Sequence, residues 1–267
     1  MPSAEGAVRG IHAETAWPGN KCARGWDWVT RVNDEDIVTI PSKRSIALPS
    51  PYSPIAGLIY RTATPGVQLL IGGDSHAQGA GTTLGYGNFA FLSMVELNRP
   101  GSCPVGYINA AMTGRPSDTF WPALMRLLIA LQPGIGIIQG WTANDSPAEQ
   151  RAIRRYLDRV ALAMKQIHTY RGIPLPFTPF PRNPDFMTSP VLAAWRDARV
   201  RLLQMGTETQ PIIDATPVLG RPVNDEFDGT YRDDLPKITL DNIHPGDVGH
   251  ELVAAEVAIP LLRRLIS

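Results

Sequence analysis

The chain has 267 residues, which is enough for one large α/β domain with a buried core, with or without a small accessory piece. Its 25 basic and 25 acidic residues cancel, so charge gives no reason to expect a nucleic-acid or anionic-membrane partner. The two cysteines, Cys22 and Cys103, lack the spacing of a zinc site or a disulfide framework, although a single disulfide between them stays open.

The beginning of the chain contains no continuous apolar stretch, so we expect no signal peptide here. No later stretch reaches the roughly 18 apolar residues of a membrane span. We therefore expect a soluble protein. A cytoplasmic protein and a secreted one whose signal has been removed would look the same, so the compartment stays open, as does the oligomeric state.

Residues 1–65 differ from the rest of the chain: they hold several prolines, short strand-like runs, and Trp17, Trp26 and Trp28. We interpret them as an N-terminal extension whose tryptophans dock it on a main domain, 66–267.

From residue 66 onward, short apolar runs alternate with longer stretches at helical spacing. The predicted strands are 67–72, 104–111, 134–140, 173–180 and 211–215. The predicted helices are 88–98, 117–131, 146–170, 189–205 and 247–266. We expect Pro260 to kink or interrupt the last of these helices. Such alternation predicts an α/β fold with a mainly parallel five-stranded sheet between two layers of helices.

Ligands of such sheets bind beyond the carboxyl ends of the strands. The first predicted strand ends in Gly72-Gly73-Asp74-Ser75, where glycines allow a sharp turn that presents a serine hydroxyl at the sheet edge. The same composition is common in ordinary turns. Gly114 follows the second strand, and its N–H could approach a developing oxyanion. Asn144 follows the third strand, and it is either an amide donor of that kind or a residue at the start of a helix.

The segment "LDNIHPGD" near the C-terminus places Asp241 three residues before His244. A carboxylate at that spacing can orient an imidazole and stabilise its protonated form. With Ser75, Gly114 and Asn144, the pair supplies the parts that acyl transfer requires.

These residues resemble the motifs of the SGNH hydrolases, also called the GDSL esterase/lipase family, over about residues 66–267. The resemblance implies a flavodoxin-like α/β/α sandwich and a Ser75–His244–Asp241 triad without a metal or other cofactor. It implies an oxyanion hole formed by the N–H groups of Ser75 and Gly114 and by the Asn144 amide. Two positions depart from the family pattern: Thr142 replaces a glycine, and His76 replaces an apolar residue.

The resemblance favours a serine esterase that hydrolyses short-chain acyl esters, with acetyl groups on carbohydrates as one substrate class. Predicted substrate contacts come from the strand ends and from a proline-rich loop after the long helix: Asp74, His76, Trp141 and Phe177. Phe177 fits a place in the core of the fourth strand equally well.

Three other functions stay open. An acyltransferase of the same fold would use a sugar as acceptor, and a non-catalytic carbohydrate-binding protein would use the N-terminal tryptophans. The pair Asp74 and His76 also begins the metal-binding pattern of metallophosphoesterases, but the further ligand motifs of that fold are absent from the sequence.

Overall fold

A computed structural model describes residues 11–12, 66–83, 87–98, 105–142, 144–145, 150–224 and 226–266. The three N-terminal tryptophans, both cysteines and most of the predicted extension lie outside these residues. The boundary near residue 65 therefore stays a prediction.

A five-stranded parallel sheet forms the centre of the fold, in the order β1-β3-β2-β4-β5. Its strands are β1 (Ile11–His12), β2 (Val67–Gly72), β3 (Val105–Asn109), β4 (Ile135–Gln139) and β5 (Ile173–Phe177). Four of them match predicted strands, and the mainly parallel α/β sandwich is confirmed.

The larger helices are α2 (Phe89–Leu97), α3 (Ser117–Leu131), α4 (Gln150–Thr169) and α5 (Ser189–Met205). Short helices are α1 (Ser75–Gln78) and α6 (Thr216–Leu219). The C-terminal helix runs from α7 (Asp247–Leu252) through a π-helical segment (Val253–Ala258) into α8 (Ile259–Ile266). Pro260 has no N–H to bond in an α-helical pattern, and the wider turn directly before it keeps the helix continuous instead of breaking it.

Side chains alternate between the two faces of the sheet and fill two separate cores. In β2, Leu69 and Ile71 belong to the core under α2 and the C-terminal helix, while Leu70 belongs to the core under α3, α4 and α5. All three are fully buried. This arrangement is why the central strands are mainly apolar on both faces.

The predicted strand 211–215 is reduced to one parallel bridge between Ile213 and Phe177. Its neighbours explain the loss, because Pro211 has no N–H to donate, the Ala215 N–H donates to the Thr178 hydroxyl, and α6 begins at Thr216. The prediction of a full strand was wrong. The fifth strand of the sheet is instead β1 at the opposite edge.

An antiparallel hairpin, β6 (Gly220–Val223) and β7 (Glu226–Tyr231), was not predicted. It lies beside the carboxyl edge of the sheet, where Thr230 bridges to Arg182.

Among the residues that the structure describes, no helix has both the length and the apolar character that crossing a membrane requires.

Candidate active site

Ser75 is the first residue of α1, directly after the sharp turn at the end of β2. Asp74 caps this helix: its side-chain Oδ1 accepts the N–H of His76 at 2.9 Å. Gly73 makes the turn possible, since a Cβ there would lie 2.3 Å from Gln139 Oε1. The N–H groups in the first turn of a helix have no helical partner, and the Ser75 N–H is one of them.

A chain of hydrogen bonds connects Ser75 to the segment near the C-terminus. His244 Nε2 lies 2.9 Å from Ser75 Oγ, and His244 Nδ1 lies 2.7 Å from Asp241 Oδ2. Ser75 is 6 % exposed, whereas the side chains of His244 and Asp241 are 19 % and 44 % exposed. The Ser75 hydroxyl is therefore at the buried end of this series of hydrogen bonds, and the Asp241 carboxylate is at its solvent-exposed end.

The turn 241–244 orients its own carboxylate. Asp241 Oδ1 accepts the N–H groups of Ile243 at 2.9 Å and His244 at 2.7 Å, and Asn242 takes a left-handed φ of 58° between them. Partial burial raises the pKa of Asp241, but the bonds from the His244 backbone and ring and from the Ile243 N–H outweigh it and hold the pKa at about 2. Asp241 is thus a carboxylate at every ordinary assay pH.

Asp74 connects the turn after β2 to the loop after β4. Its Oδ2 accepts the hydroxyl of Thr142 and, at 3.3 Å, the side-chain amide of Asn144. Thr142 Oγ1 in turn accepts the Asn144 N–H at 3.1 Å. Asp74 and Thr142 are both fully buried. Thr142 therefore attaches the Asn144 loop to Asp74, the residue next to Ser75.

Two of the three predicted oxyanion donors, Gly114 and Asn144, lie on adjoining loops, and the third is the N–H of Ser75 in α1. Asn144 Nδ2 is 3.1 Å from the carbonyl of Arg115, the neighbour of Gly114, and Gly114 is exposed with a φ of 67° and open space where a side chain would be. Because the Asn144 amide already donates to Asp74 and Arg115, binding an oxyanion would require it to exchange one of these bonds.

The four predicted substrate contacts are all buried. Asp74 and Phe177 are 0 %, His76 2 % and Trp141 4 % exposed. Phe177 packs edge-on against Phe89 with ring centroids 5.3 Å apart, and Trp141 belongs to the core under α3 and α4. These aromatic side chains therefore offer almost no surface to a ligand, because the strand ends that carry them are covered by helices.

His76 uses both ring nitrogens within the protein. Nε2 lies 2.7 Å from the Ile243 carbonyl, and Nδ1 lies 3.3 Å from Arg182 Nη2. Neither nitrogen is open to a metal ion. In the described part of the chain, no group of three or more His, Cys, Asp or Glu side chains is placed to hold one.

Sequence reasoning missed three of these participants: Thr142, Arg182 and Tyr231, whose hydroxyl donates to the Ile243 carbonyl at 3.1 Å. Thr142 was noted only as a departure from the family pattern. Arg182 and Tyr231 carried no sequence signal, because only the packing of β7 and the loop after β5 brings them here.

The architecture matches solved structures of esterases and lipases. A GDSL-like lipase from Bacteroides thetaiotaomicron superposes with a TM-score of 0.52 at 14 % identity, covering 74 % of this chain and 87 % of the lipase. The lipase/acylhydrolase from Enterococcus faecalis gives 0.51 at 19 %, covering 74 % and 95 %. The fold is that of the GDSL hydrolases.

A psychrotrophic esterase from Pseudoalteromonas is also similar in structure, with a TM-score of 0.51, 15 % identity, and coverage of 74 % of this chain and 97 % of the esterase. The sequence matches no protein-family model and no curated protein. At these identities the likeness establishes the fold, and the chemistry has to be argued from the site.

Proposed function

We propose that this protein is a serine esterase that hydrolyses short-chain acyl esters through an acyl-enzyme on Ser75. The observation that carries the proposal is the chain of hydrogen bonds from Ser75 Oγ through His244 to Asp241. A serine, a histidine and a carboxylate in that order form a nucleophile, a general base and the group that orients the base.

In the first step, Ser75 Oγ attacks the ester carbonyl carbon while its proton passes to His244 Nε2. Asp241 accepts the Nδ1 hydrogen, which leaves the Nε2 lone pair facing the hydroxyl, and its negative charge stabilises the imidazolium. The tetrahedral intermediate then collapses: the bond from carbon to the alcohol oxygen breaks, and His244 gives its proton to the departing alkoxide.

The negative oxygen of the intermediate needs donors that are already in place. The Ser75 N–H at the start of α1, the Gly114 N–H and the Asn144 amide are the proposed set. A left-handed backbone and open space at Gly114 support its role, because nothing obstructs the approach of a substrate oxygen there.

Water completes the cycle by the same route. His244 takes a proton from the water as it attacks the acyl carbon, and it returns that proton to Ser75 Oγ when the acid leaves. None of these steps uses a cofactor.

A short acyl group is the substrate class that the site favours. The aromatic side chains expected to border an acyl chain, Trp141 and Phe177, are buried in the core, so they provide no apolar wall for a long chain. An acetyl ester of a carbohydrate is one substrate of this class, and the balanced charge of the chain is compatible with a neutral molecule.

The test compares hydrolysis of p-nitrophenyl esters from acetate to decanoate by the wild type and Ser75→Ala. We expect the wild type to prefer acetate and butyrate, and the variant to lose about 10³-fold or more of kcat/KM. Ser93→Ala is the matched control, because it removes a buried hydroxyl in α2 that donates to the Phe89 carbonyl of the same helix. Circular dichroism checks the fold of both variants.

If Ser75→Ala is as active as the wild type, Ser75 is not the nucleophile. A wild type that releases acid slowly but transfers the acyl group to an added sugar would replace the esterase by an acyltransferase. Sugar binding that survives Ser75→Ala, with no turnover in either protein, would replace it by a binding protein.

A further inference from the structure

His76 directly connects the nucleophile helix to the loop that carries His244. A guanidinium has hydrogens on every nitrogen and cannot accept, so Arg182 Nη2 must donate to Nδ1 of His76. The ring hydrogen is therefore on Nε2, which donates to the Ile243 carbonyl at 2.7 Å. Arg182 thus selects the tautomer that makes the bond to residue 243.

The Ile243 carbonyl is part of the peptide that leads into His244. It accepts a second bond from Tyr231 Oη at 3.1 Å, so both of its lone pairs are used. The N–H groups on the other side of the turn are held by Asp241 Oδ1. The loop 241–244 is therefore held by the carboxylate of its own Asp241, by His76 of α1 and by Tyr231 of β7.

His76 is built into the site as a rigid contact. It is 2 % exposed, its ring is 5.5 Å from that of Phe180 and 5.3 Å from that of His244, and its own N–H is bound by Asp74. A burial this complete, together with the nearby Arg182 charge, lowers the pKa of His76 well below its usual value and keeps the ring neutral.

Placement matters because general-base catalysis depends on the distance between Ser75 Oγ and His244 Nε2, which is 2.9 Å here. An error of about 1 Å in such a distance can cost on the order of 10²-fold in rate. A direct bond between the neighbours of the two groups, residues 76 and 243, is a short connection that can keep this distance constant.

We propose that His76 is a positioning residue that holds His244 against Ser75 by bonding to the Ile243 carbonyl, with Arg182 fixing its tautomer. This inference rests on the proposed esterase function. It assigns a task to the residue after the nucleophile, which is more often apolar in the family that the sequence resembles.

The kinetic test uses two variants of His76. His76→Phe keeps the ring but has no donor, and we expect kcat for p-nitrophenyl acetate to fall 10- to 100-fold with KM within about twofold of wild type. His76→Gln places an amide nitrogen near the former Nε2, and we expect it to recover kcat to within about threefold of wild type. Ile167→Val, a buried change at the opposite edge of the sheet, controls for a modest loss of stability.

A purely structural role would lower the melting temperature of His76→Phe but leave its kcat at wild-type level below the melting transition, and that result overturns the proposal. Failure of His76→Gln to recover kcat, with a melting temperature at or above that of His76→Phe, also overturns it.

Nitrogen NMR of labelled histidine separates this inference from the esterase assignment, because it needs no turnover. We expect two buried rings with the hydrogen on Nε2 from pH 6 to 9, those of His76 and of His250, whose Nδ1 accepts the Phe89 N–H. His76→Gln removes the first signal and so assigns it, and we expect Arg182→Met to move part of the His76 hydrogen to Nδ1. If the protein shows the expected spectrum but hydrolyses none of the esters, the bond between His76 and the Ile243 carbonyl stands and the esterase function is rejected. A His76 ring with its hydrogen on Nδ1 in the wild type would reject the connection, whatever the activity.

Discussion

The hydroxyl of Thr142 lies between a fully buried carboxylate and the backbone of the Asn144 loop. Thr142→Val keeps the shape of the side chain but leaves Asp74 without one donor, a loss of about 1–3 kcal/mol for a bond to a charged group. We expect a lower melting temperature and kcat reduced about tenfold, because the loop carrying the amide donor loses its attachment.

Thr142→Ser is the matched control, since it keeps the hydroxyl, and both parameters should stay near wild type. The melting temperature and the kcat for p-nitrophenyl acetate are measured for both variants. Wild-type kcat in Thr142→Val would mean that the attachment to Asp74 does not position Asn144.

Asp241 accepts the His244 ring at one oxygen and two backbone N–H groups at the other. Asp241→Asn puts an amide where only acceptors fit and removes the charge that stabilises the imidazolium. We expect kcat to fall by about 10²- to 10⁴-fold while KM changes little. The control is Asp234→Asn, which removes a carboxylate that pairs with Arg232 at the surface and should leave kcat unchanged. An Asp241→Asn enzyme within threefold of wild type would show that His244 needs no carboxylate.

The sequence was sufficient to predict that Ser75, Asp241 and His244 would come together. Ser75 is identified by a turn after an apolar strand, and Asp241 and His244 are identified by their spacing within one turn. Each of these signals is local in the sequence. The buried partners are different. Thr142, Arg182 and Tyr231 reach the site only through packing between elements distant in the chain, and no local pattern reports such contacts. The same limitation led to the prediction of Trp141 and Phe177 as ligand contacts, because a strand end does not reveal which helix covers it.

At the scale of elements, the turn from β2 into α1 requires a residue without a side chain at position 73. A Cβ on Gly73 would lie 2.6 Å from Gln139 Cβ and 2.8 Å from Ala77 Cβ, so Gly73→Ala has to move β4 or α1. We expect a loss of about 2 kcal/mol or more of unfolding free energy and at least a tenfold loss of kcat, because α1 carries Ser75.

Gly106→Ala in β3 is the matched control. A Cβ there meets nothing within 4 Å, and alanine restricts the unfolded chain, so we expect stability to stay level or rise by up to about 1 kcal/mol. Chemical denaturation and ester hydrolysis measure both variants. A Gly73→Ala protein as stable and active as Gly106→Ala would contradict the steric argument.

Helices and strands whose sequence has a clear hydrophobic pattern were predicted well. Elements whose structure depends on contacts with neighbouring elements were not. Strands β2 to β5 are short, mainly apolar runs, and α5 begins and ends at the predicted residues. The segment 211–215 has the composition of a strand, but its backbone pairs with β5 only at Ile213, because Pro211 has no N–H and the Ala215 N–H donates to the Thr178 side chain. Hairpin β6–β7 is short and polar, and its position depends on contacts that a sequence does not display. At Pro260 the sequence predicted a kink or an interruption, and the π-helical segment Val253–Ala258 does interrupt the α-helical pattern there, while packing against the core keeps the helical segments continuous.

For the whole molecule, buried histidines make stability depend on pH. His250 is fully buried, and its Nδ1 accepts the Phe89 N–H at 3.2 Å. Burial lowers its pKa to about 3, with the nearby Asp247 opposing and His244 adding to the change. An unfolded histidine has a pKa near 6.5. Between these values the unfolded chain binds a proton that the folded protein does not, so stability falls as the pH falls from about 6.5 toward about 3.

His76 acts in the same direction, because its pKa is also lowered. Asp241 adds a loss at lower pH: its folded pKa of about 2 lies below the unfolded value near 3.9, and its contribution disappears across that interval. His250 alone predicts a loss of about 2 kcal/mol between pH 7 and pH 5, because each pH unit below the unfolded pKa costs about 1.36 kcal/mol.

Urea denaturation at pH 7, 6 and 5 tests this prediction with His250→Asn. The Asn oxygen occupies the place of Nδ1 and still accepts the Phe89 N–H, while the ionisable ring is gone. We expect lower stability at pH 7, because the lost ring leaves space in the core, but a loss on acidification that is smaller than in wild type by about 2 kcal/mol. His168→Asn, on the exposed side of α4, is the control and should keep the wild-type slope. If His250→Asn loses as much stability between pH 7 and pH 5 as the wild type, the acid sensitivity comes from other groups.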